Sequence, residues 1–255
     1  AYSLAFTNAP DFETDASTDG DGDYDVTVTI NDGAQDGATI TYVVTVTDTN
    51  DESPVFTSSD TINVAEGATA VVTLTSTDGD AADSGGPTYA IDTNDNNLFS
   101  INGAVVTLTN AADFETPGCG SSSNTCTIVV SATDLNSQVT QQTITVTITD
   151  VNDQTPTYTA GDTTPSVAEG STAVDTAVAI TDTDTGDANV CTLAGSDAAL
   201  FTCTLTGQTA YSLAFTNAPD FETDASTDGD GDYDVTVTIN DGAQDGATIT
   251  YVVTV

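Results

Sequence analysis

Two four-residue stretches gather oxygen ligands at matched spacing: Asp48-Thr49-Asn50-Asp51 and Asp150-Val151-Asn152-Asp153. Carboxylate and carbonyl oxygens are the donors a hard cation takes, and six to eight of them at ~2.3–2.6 Å describe a calcium site. The positioning elements are legible on either side. Ahead of the first stretch runs Thr39-Ile40-Thr41-Tyr42-Val43-Val44-Thr45-Val46, and ahead of the second runs Gln142-Thr143-Ile144-Thr145-Val146-Thr147-Ile148-Thr149. Both are β-branched, alternating runs that read as strands. Pro54 and Pro156 follow three residues after the last Asp of each stretch, where they block further ladder pairing. A strand, an oxygen cluster and a proline in that order read as a short joint between two β domains.

Charge makes some source of neutralisation necessary. The 255 residues contain 40 Asp plus Glu and no Lys, Arg or His, for a formal charge of −40. No side-chain salt bridge can form. Clustered carboxylates must be neutralised by metal ions, by backbone N–H groups or by salt. Two unit charges ~4 Å apart repel by about 4 kcal/mol at an effective dielectric near 20, so a joint holding several of them should not close without a cation. The same deficit excludes nucleic acid and anionic membrane as partners, because nothing in the chain pairs with phosphate. No apolar run approaches the ~18 residues of a membrane span, so no direct membrane insertion is expected. The chain is not expected to be an enzyme. Without His or Lys the usual bases and nucleophile partners are missing, and a carboxylate pair for glycoside hydrolysis would lack Trp for sugar stacking. No Asn-x-Ser/Thr triplet occurs, while the dense Thr and Ser leave O-linked sugar open. The acidic run Asp19-Gly20-Asp21-Gly22-Asp23, repeated at 228–232, lacks the twelfth-position Glu of an EF-hand. It reads either as a solvated loop or as an extra calcium loop.

Four cysteines fall as the close pairs Cys119/Cys126 and Cys191/Cys203. Of three possible connectivities the local one is favoured, which implies an oxidising compartment and secretion. No signal peptide or initiator Met is present, so the sequence reads as a window in a longer exported chain.

The positioning elements come in copies. Ala1 to Val46 recurs without change as Ala210 to Val255, a period of 209 residues. Cores tolerate many substitutions, so identity over 46 positions exceeds what folding requires and points to a tandem array of copied units. Weaker similarity at half the period joins Val64-Ala65-Glu66-Gly67 to Val167-Ala168-Glu169-Gly170, and Asp113-Phe114-Glu115 to Asp11-Phe12-Glu13 and Asp220-Phe221-Glu222. A 38% hydrophobic content rich in Val, Ile and Thr favours an ordered β core over disorder. The pattern predicts three strands near 2–7, 24–31 and 39–47. Seven more lie near 60–65, 70–77, 87–92, 97–102, 104–109, 125–133 and 139–149. A further seven lie near 163–168, 173–181, 189–194, 199–205, 209–216, 233–240 and 248–255. The fold class expected is all-β: tandem seven-stranded Greek-key β-sandwiches of immunoglobulin-like type. The domains expected are a partial one at 1–50, whose missing strands lie upstream or come from a neighbouring molecule, and complete ones at 51–152 and 153–255.

These elements in this order resemble tandem cadherin repeats: the Asp-x-Asn-Asp-x-x-Pro joint, the Val-x-Glu-Gly segment, the Asp-Phe-Glu triplet, an Asp-x-Asp after the second strand and an Asp ending the sixth. The resemblance covers essentially the whole chain and implies Ca²⁺ between consecutive domains. For the joint at 150–153 it implies Glu66, Asp113 and Glu115 from above, Asp150, Asp153 and the carbonyl of Asn152 from the linker, and Asp182, Asp184 and Asp241 from below, with Asn189 adding a carbonyl. For the joint at 48–51 it implies Asp11, Glu13, Asp48, Asn50, Asp51, Asp78, Asp80 and Asp134. Glu169, Asp220 and Glu222 form a half-joint. Two departures stand out. Ala-Glu-Gly replaces the family's Pro-Glu-Asn, and Asp83 adds an acid to the loop after Asp78-Gly79-Asp80. A first-strand Trp of the kind some vertebrate members exchange between cells is absent, which puts that adhesive mechanism in doubt here.

The function expected is a calcium-rigidified structural repeat of an extracellular filament or cell-surface adhesin. Its partner is itself, as a homopolymer or end-to-end array, or another surface protein. The alternative is an adhesin module that recognises a glycan or a partner protein through its loops. Exchange of strands between subunits is a third route to assembly.

Overall fold

The computed structural model describes residues 2–80, 85–186 and 188–255. The extra Asp83 noted above lies outside the described residues. The chain is almost entirely β, and it divides into two compact units. One comprises residues 1–113 and 117–148, the other residues 114–116 and 149–255.

The first unit opens with a two-stranded antiparallel ribbon, β1 (Asp23–Asn31) and β2 (Asp36–Thr45). Tyr2–Phe6, expected as a strand, is irregular. The physical reason is visible in its identical copy. There, the equivalent residues form a strand only because a neighbour flanks them on each side.

The rest of this unit contains β3 (Val55–Phe56), β4 (Thr61–Ala65), β5 (Ala70–Thr73), β6 (Ser76–Thr77), β7 (Thr88–Asn94), β8 (Phe99–Asn102), β9 (Val105–Leu108), β10 (Thr125–Thr133) and β11 (Val139–Thr149). The sheets run β4-β11-β10-β7 and β5-β9-β8, with a short β3-β6 pair. The run expected at 70–77 is broken into β5 and β6, and the two-residue β3 was not legible. So the count here exceeds seven. Alternation explains the core: Ile144, Val146 and Ile148 of β11 are buried while the Thr residues between them are not, as a strand with one covered face requires. β10 contributes Cys126, Ile128, Val130 and Ala132, all buried, and β8 and β9 add Phe99, Val106 and Leu108. Cys126 is bonded to Cys119, which ties the loop before β10 to that strand.

The second unit contains β12 (Thr157–Tyr158), β13 (Ala173–Thr181), β14 (Val190–Ala194), β15 (Phe201–Thr206), β16 (Ala210–Phe215), β17 (Asp232–Asn240) and β18 (Ile249–Thr254). The sheets run β12-β13-β16-β15 and β14-β17-β18. The strand expected at 163–168 is reduced to a single parallel bridge between Ser166 and Thr254. In β17, Tyr233, Val235, Val237 and Ile239 are buried, with Asp and Thr between them. They pack with Val167, Val178, Ile180, Phe201, Tyr211, Leu213, Phe215, Tyr251 and Val253 in one cluster. Each such aliphatic or aromatic side chain contributes about 1.5–3 kcal/mol on burial. The Cys191–Cys203 disulfide joins β14 to β15 and therefore one sheet to the other. Both cystines pair as the local spacing favours, and no free thiol remains.

One acid in this unit has a purely structural task. Asp197 is buried and accepts hydrogen bonds from the backbone N–H of Thr227 (2.7 Å) and of Asp234 (2.8 Å), and from Ser196 Oγ (3.1 Å). Burial alone would raise its pKa, but these donors outweigh burial and hold it below the ordinary carboxylate value. It pins the acidic loop 224–232 to β17. Within that loop the carboxylates are turned onto their own backbone, Asp224 onto Ser226 N–H and Asp230 onto Asp232 N–H.

Candidate metal centre

The first linker lies wholly within the first unit. Strand β2 ends at Thr45 and Asp48 to Asp51 follow. One carboxylate oxygen each from Glu13, Asp48 and Asp80 lie within 4.8 Å of one another, and so do one each from Asp78, Asp80 and Asp134. Asp80 is common to both groups. Asp80 and Asp134 are buried.

Asp80, Asp134 and the half-buried Asp78 are each half-bonded. Asp80 Oδ2 accepts the N–H of Glu52 (3.0 Å), Asp78 Oδ1 accepts the N–H of Asp80 (3.1 Å), and Asp134 Oδ1 accepts the N–H of Gln138 (2.7 Å). The second oxygen of each, Asp80 Oδ1, Asp78 Oδ2 and Asp134 Oδ2, is buried with no hydrogen-bond partner, as is Asn50 Oδ1. A backbone clip on one oxygen fixes the direction of the other. Carbonyl O of Asn50 accepts from Asn136 Nδ2 (2.8 Å), while the side-chain oxygen of Asn50 is buried without a partner.

The second linker repeats the plan with second-unit residues. Gln154 N–H donates to Asp184 Oδ2 (2.7 Å), Asp184 N–H to Asp182 Oδ1 (3.3 Å), and Ala243 and Gln244 N–H to Asp241 Oδ1 (2.7 and 2.6 Å). The buried oxygens left without a partner are Asp184 Oδ1, Asp241 Oδ2, Asp150 Oδ1, Asn152 Oδ1 and Asn189 Oδ1. The other oxygen of Asp150 accepts from Thr185 through both its N–H and its hydroxyl. Asn152 Nδ2 donates to the carbonyl of Asp241 (3.2 Å). The side-chain oxygen of Asn152 is thus a further buried acceptor without a partner. Glu115, Asp153 and Asp184 bring one carboxylate oxygen each within 4.8 Å of one another.

Among buried groups the unpaired state is costly, since a polar atom taken from water without a partner loses about 1–3 kcal/mol. Pairs among Asp78, Asp80 and Asp134 at up to 4.8 Å repel by roughly 3–4 kcal/mol each at an effective dielectric of 20. Buried acceptors that converge and repel fit a divalent cation with oxygen preference. The same orphaning at Gln142 Oε1 and Ser226 Oγ lies outside these groups. At Glu13 the residue's own N–H lowers the pKa, but burial, Asp11 and the charges of Asp48 and Asp80 together carry it above the ordinary value.

The remaining expected ligands divide. Glu66, buried, and Asp113 present carboxylate oxygens within 4.8 Å of each other in the first unit. Glu169, Asp220 and Glu222 form a further group of that tightness in the second unit, all three exposed. Asp11 is not drawn into a three-acid group. Its Oδ1 caps the N–H groups of Glu13 and Thr14, both at 3.1 Å. Asp51, Asp150, Asp182 and Asp241 also fall outside any three-carboxylate group of this tightness among the described residues. Sequence reasoning missed the clips: the main-chain N–H groups of Glu52, Gln138, Gln154 and Gln244, which aim the acids. Main-chain donors leave no mark on residue type.

Residues 60–149 match the family model of the cadherin domain. Among solved structures, the chain is similar to Protocadherin Gamma B2 extracellular cadherin domains 3–6, at TM-score 0.69 and 22% identity, covering 92% of this chain and 59% of that one. It is similar to the human desmocollin-1 ectodomain at TM-score 0.65 and 19% identity, with 97% and 49% covered. It is also similar to the protocadherin gamma B4 extracellular domain at TM-score 0.61 and 22% identity, with 96% and 38% covered. The chain thus spans 38% to 59% of the length of these ectodomains. No curated protein matches it. The fold is cadherin-like.

Proposed function

We propose that this cadherin-like chain is a calcium-rigidified repeat of an extracellular filament or cell-surface adhesin, divided into a partial domain at 1–50 and complete domains at 51–152 and 153–255. The observation that carries the reading is the set of half-bonded carboxylates at and around the two linkers, among which Asp78, Asp80, Asp134 and Asp184 each have a buried oxygen without a partner and lie in close groups of like charge. At the first linker Glu13, Asp48, Asn50, Asp78, Asp80 and Asp134 would hold calcium. At the second, Glu115, Asp150, Asn152, Asp153, Asp182, Asp184, Asn189 and Asp241 would. Glu66 with Asp113, and Glu169 with Asp220 and Glu222, offer further carboxylates. When bound, calcium supplies the positive charge that a chain of −40 cannot. The chain's own residues do the positioning. Backbone clips orient one oxygen each of Asp78, Asp80, Asp134, Asp150, Asp182, Asp184 and Asp241.

Without the ion the acids repel and the linker loosens; with it the linker stiffens. Two disulfides and the unbroken 46-residue copy support an exported array of identical 209-residue units as the setting. The test is thermal unfolding of the oxidised chain in millimolar calcium and again in EGTA. The reading requires a higher melting temperature in calcium. An unchanged one, with no calcium bound by equilibrium dialysis, removes it.

A further inference from the structure

The hairpin between β15 and β16 carries a clip that its counterpart in the first unit lacks. Strand β15 ends at Thr206 and β16 begins at Ala210, so Gly207, Gln208 and Thr209 make the turn. In the first unit β8 and β9 are joined by Gly103 and Ala104 alone. The ends of the two turns match. The carbonyl of Thr209 accepts the N–H of Ile180 at 2.8 Å, as the carbonyl of Ala104 accepts that of Leu74 at 2.8 Å. Gln208 is therefore the extra residue.

Gln208 is exposed, yet it holds a buried partner. Its Oε1 accepts the N–H of Asn189 at 2.5 Å, and its main-chain carbonyl accepts Asn189 Nδ2 at 3.0 Å. A carbonyl only accepts, so the second bond fixes which way the Asn189 carboxamide is turned. Nδ2 faces the hairpin, and Oδ1 is left on the far edge, buried and without a partner. We infer that Gln208 is a positioning residue for calcium at the second linker: it turns Asn189 Oδ1 toward the acids of that linker as a neutral ligand. The inference rests on the calcium reading above.

Placement supports the role. Val190 pairs with Asn240 at the end of the β14–β17 ladder, which sets Asn189 beside Asp241. Ile180, bonded to the hairpin, is followed by Thr181, the last residue of β13, and then by Asp182 and Asp184. Asp184 Oδ1 and Asp241 Oδ2 are themselves buried without partners. An amide oxygen is a ligand that calcium takes, and it adds no charge to acids that already repel. A buried oxygen with no donor is costly, and a cation at this linker would supply the missing partner.

The first unit supplies the contrast. Thr88 pairs with Thr133 just ahead of Asp134, as Val190 pairs with Asn240 just ahead of Asp241. Pro87 therefore stands where Asn189 does. Proline has no N–H to clip and no side-chain oxygen to offer. Holder and held residue are both present at the second linker and both missing at the first.

The test is an NMR titration of the full oxidised chain with calcium. The N–H groups of Gln154 and Ala243, bonded to Asp184 and Asp241, report on the second linker. Those of Glu52 and Gln138, bonded to Asp80 and Asp134, report on the first. Gln208→Ala should raise the calcium midpoint at the second linker about 10-fold, the low end for losing a partner behind a metal ligand. The first linker should not move. In EGTA the same variant should exchange the Asn189 N–H faster, with the Val235 and Val237 N–H groups still protected as proof of folding. Gln208→Glu keeps the acceptor and should restore both readouts. Asn189→Ala should also raise the second midpoint, and adding Gln208→Ala to it should change nothing further. Faster exchange with an unchanged midpoint would reduce Gln208 to a prop of the hairpin and overturn the inference, as would equal shifts at both linkers. If calcium moves none of the four reporter amides in the unsubstituted chain, the calcium reading itself falls and takes the inference with it.

Discussion

Residues 2–46 and 211–255 have one sequence and two structures. Tyr211, Leu213 and Phe215 are 0%, 0% and 4% exposed and lie on β16, whereas Tyr2, Leu4 and Phe6 are 49%, 47% and 43% exposed and form no strand. Ile239 is fully covered while Ile30 is 56% exposed. Yet the ribbon of β1 and β2 pairs in the same register as β17 and β18, Tyr24 with Val44 as Tyr233 with Val253. Local pairing across a short hairpin is therefore written into the 46 residues, and the outer strand is not. A strand needs its ladder partners, and those for 2–6 belong to the segment that covers the twin. The acids follow the same rule. Glu13 joins Asp48 and Asp80, whereas its twin Glu222 joins Glu169 and Asp220. One copy meets the acids that come after it and the other meets those that come before.

Paired substitutions test the contrast most sharply. Leu213→Ala removes a fully buried side chain and should destabilise the second unit by about 2–5 kcal/mol, whereas Leu4→Ala should change stability by about 0.5 kcal/mol or less; denaturant unfolding of both variants measures the gap. Equal effects would mean that the two copies are equally covered in solution. Next in size is the staple between β14 and β15. Cys191→Ser with Cys203→Ser opens a loop of sequence separation 12 and should cost the second unit about 3 kcal/mol, with the ribbon at 2–46 unaffected by amide exchange.

Calcium comes third. At extracellular-module affinities of about 10⁻⁴–10⁻³ M, 10 mM calcium stabilises by about 1.4–2.7 kcal/mol per site. Asp80→Asn should remove that gain at the first linker and Asp184→Asn at the second, read by the calcium-dependent shift in melting. The smallest effect belongs to Asp197. Its folded pKa is depressed, so its contribution is fully present above about pH 3.9, the unfolded value, and is lost as pH falls through the folded pKa. Asp197→Asn should destabilise by about 1–2 kcal/mol at neutral pH and flatten the loss of stability of the second unit below pH 4.

Much of this was legible in the residues, for reasons that differ by level. The strands of the second unit could be read because alternation as strict as Tyr233-Asp234-Val235-Thr236-Val237 allows one face in and one face out. The acids at the linkers could be read because oxygen donors at joint spacing in a chain without cations have few other uses. The irregular stretch at Tyr2–Phe6 could not, because its alternation is identical to that of β16 and only the neighbours differ. Two-residue pieces such as β3 carry too few positions for a period. The buried side-chain oxygens of Asn50 and Asn152 could not be foreseen, because burial and orientation leave no mark on residue type.

The Cys191–Cys203 bond has a mechanical consequence for a chain pulled from its ends. Twelve steps of backbone between the two cysteines correspond to about 40 Å of extended length, and the crosslink keeps that slack out of reach of tension. Unravelling under load should therefore stop short by that amount until a reductant cuts the bond, which makes the redox state of the surroundings a limit on how far the second unit can stretch.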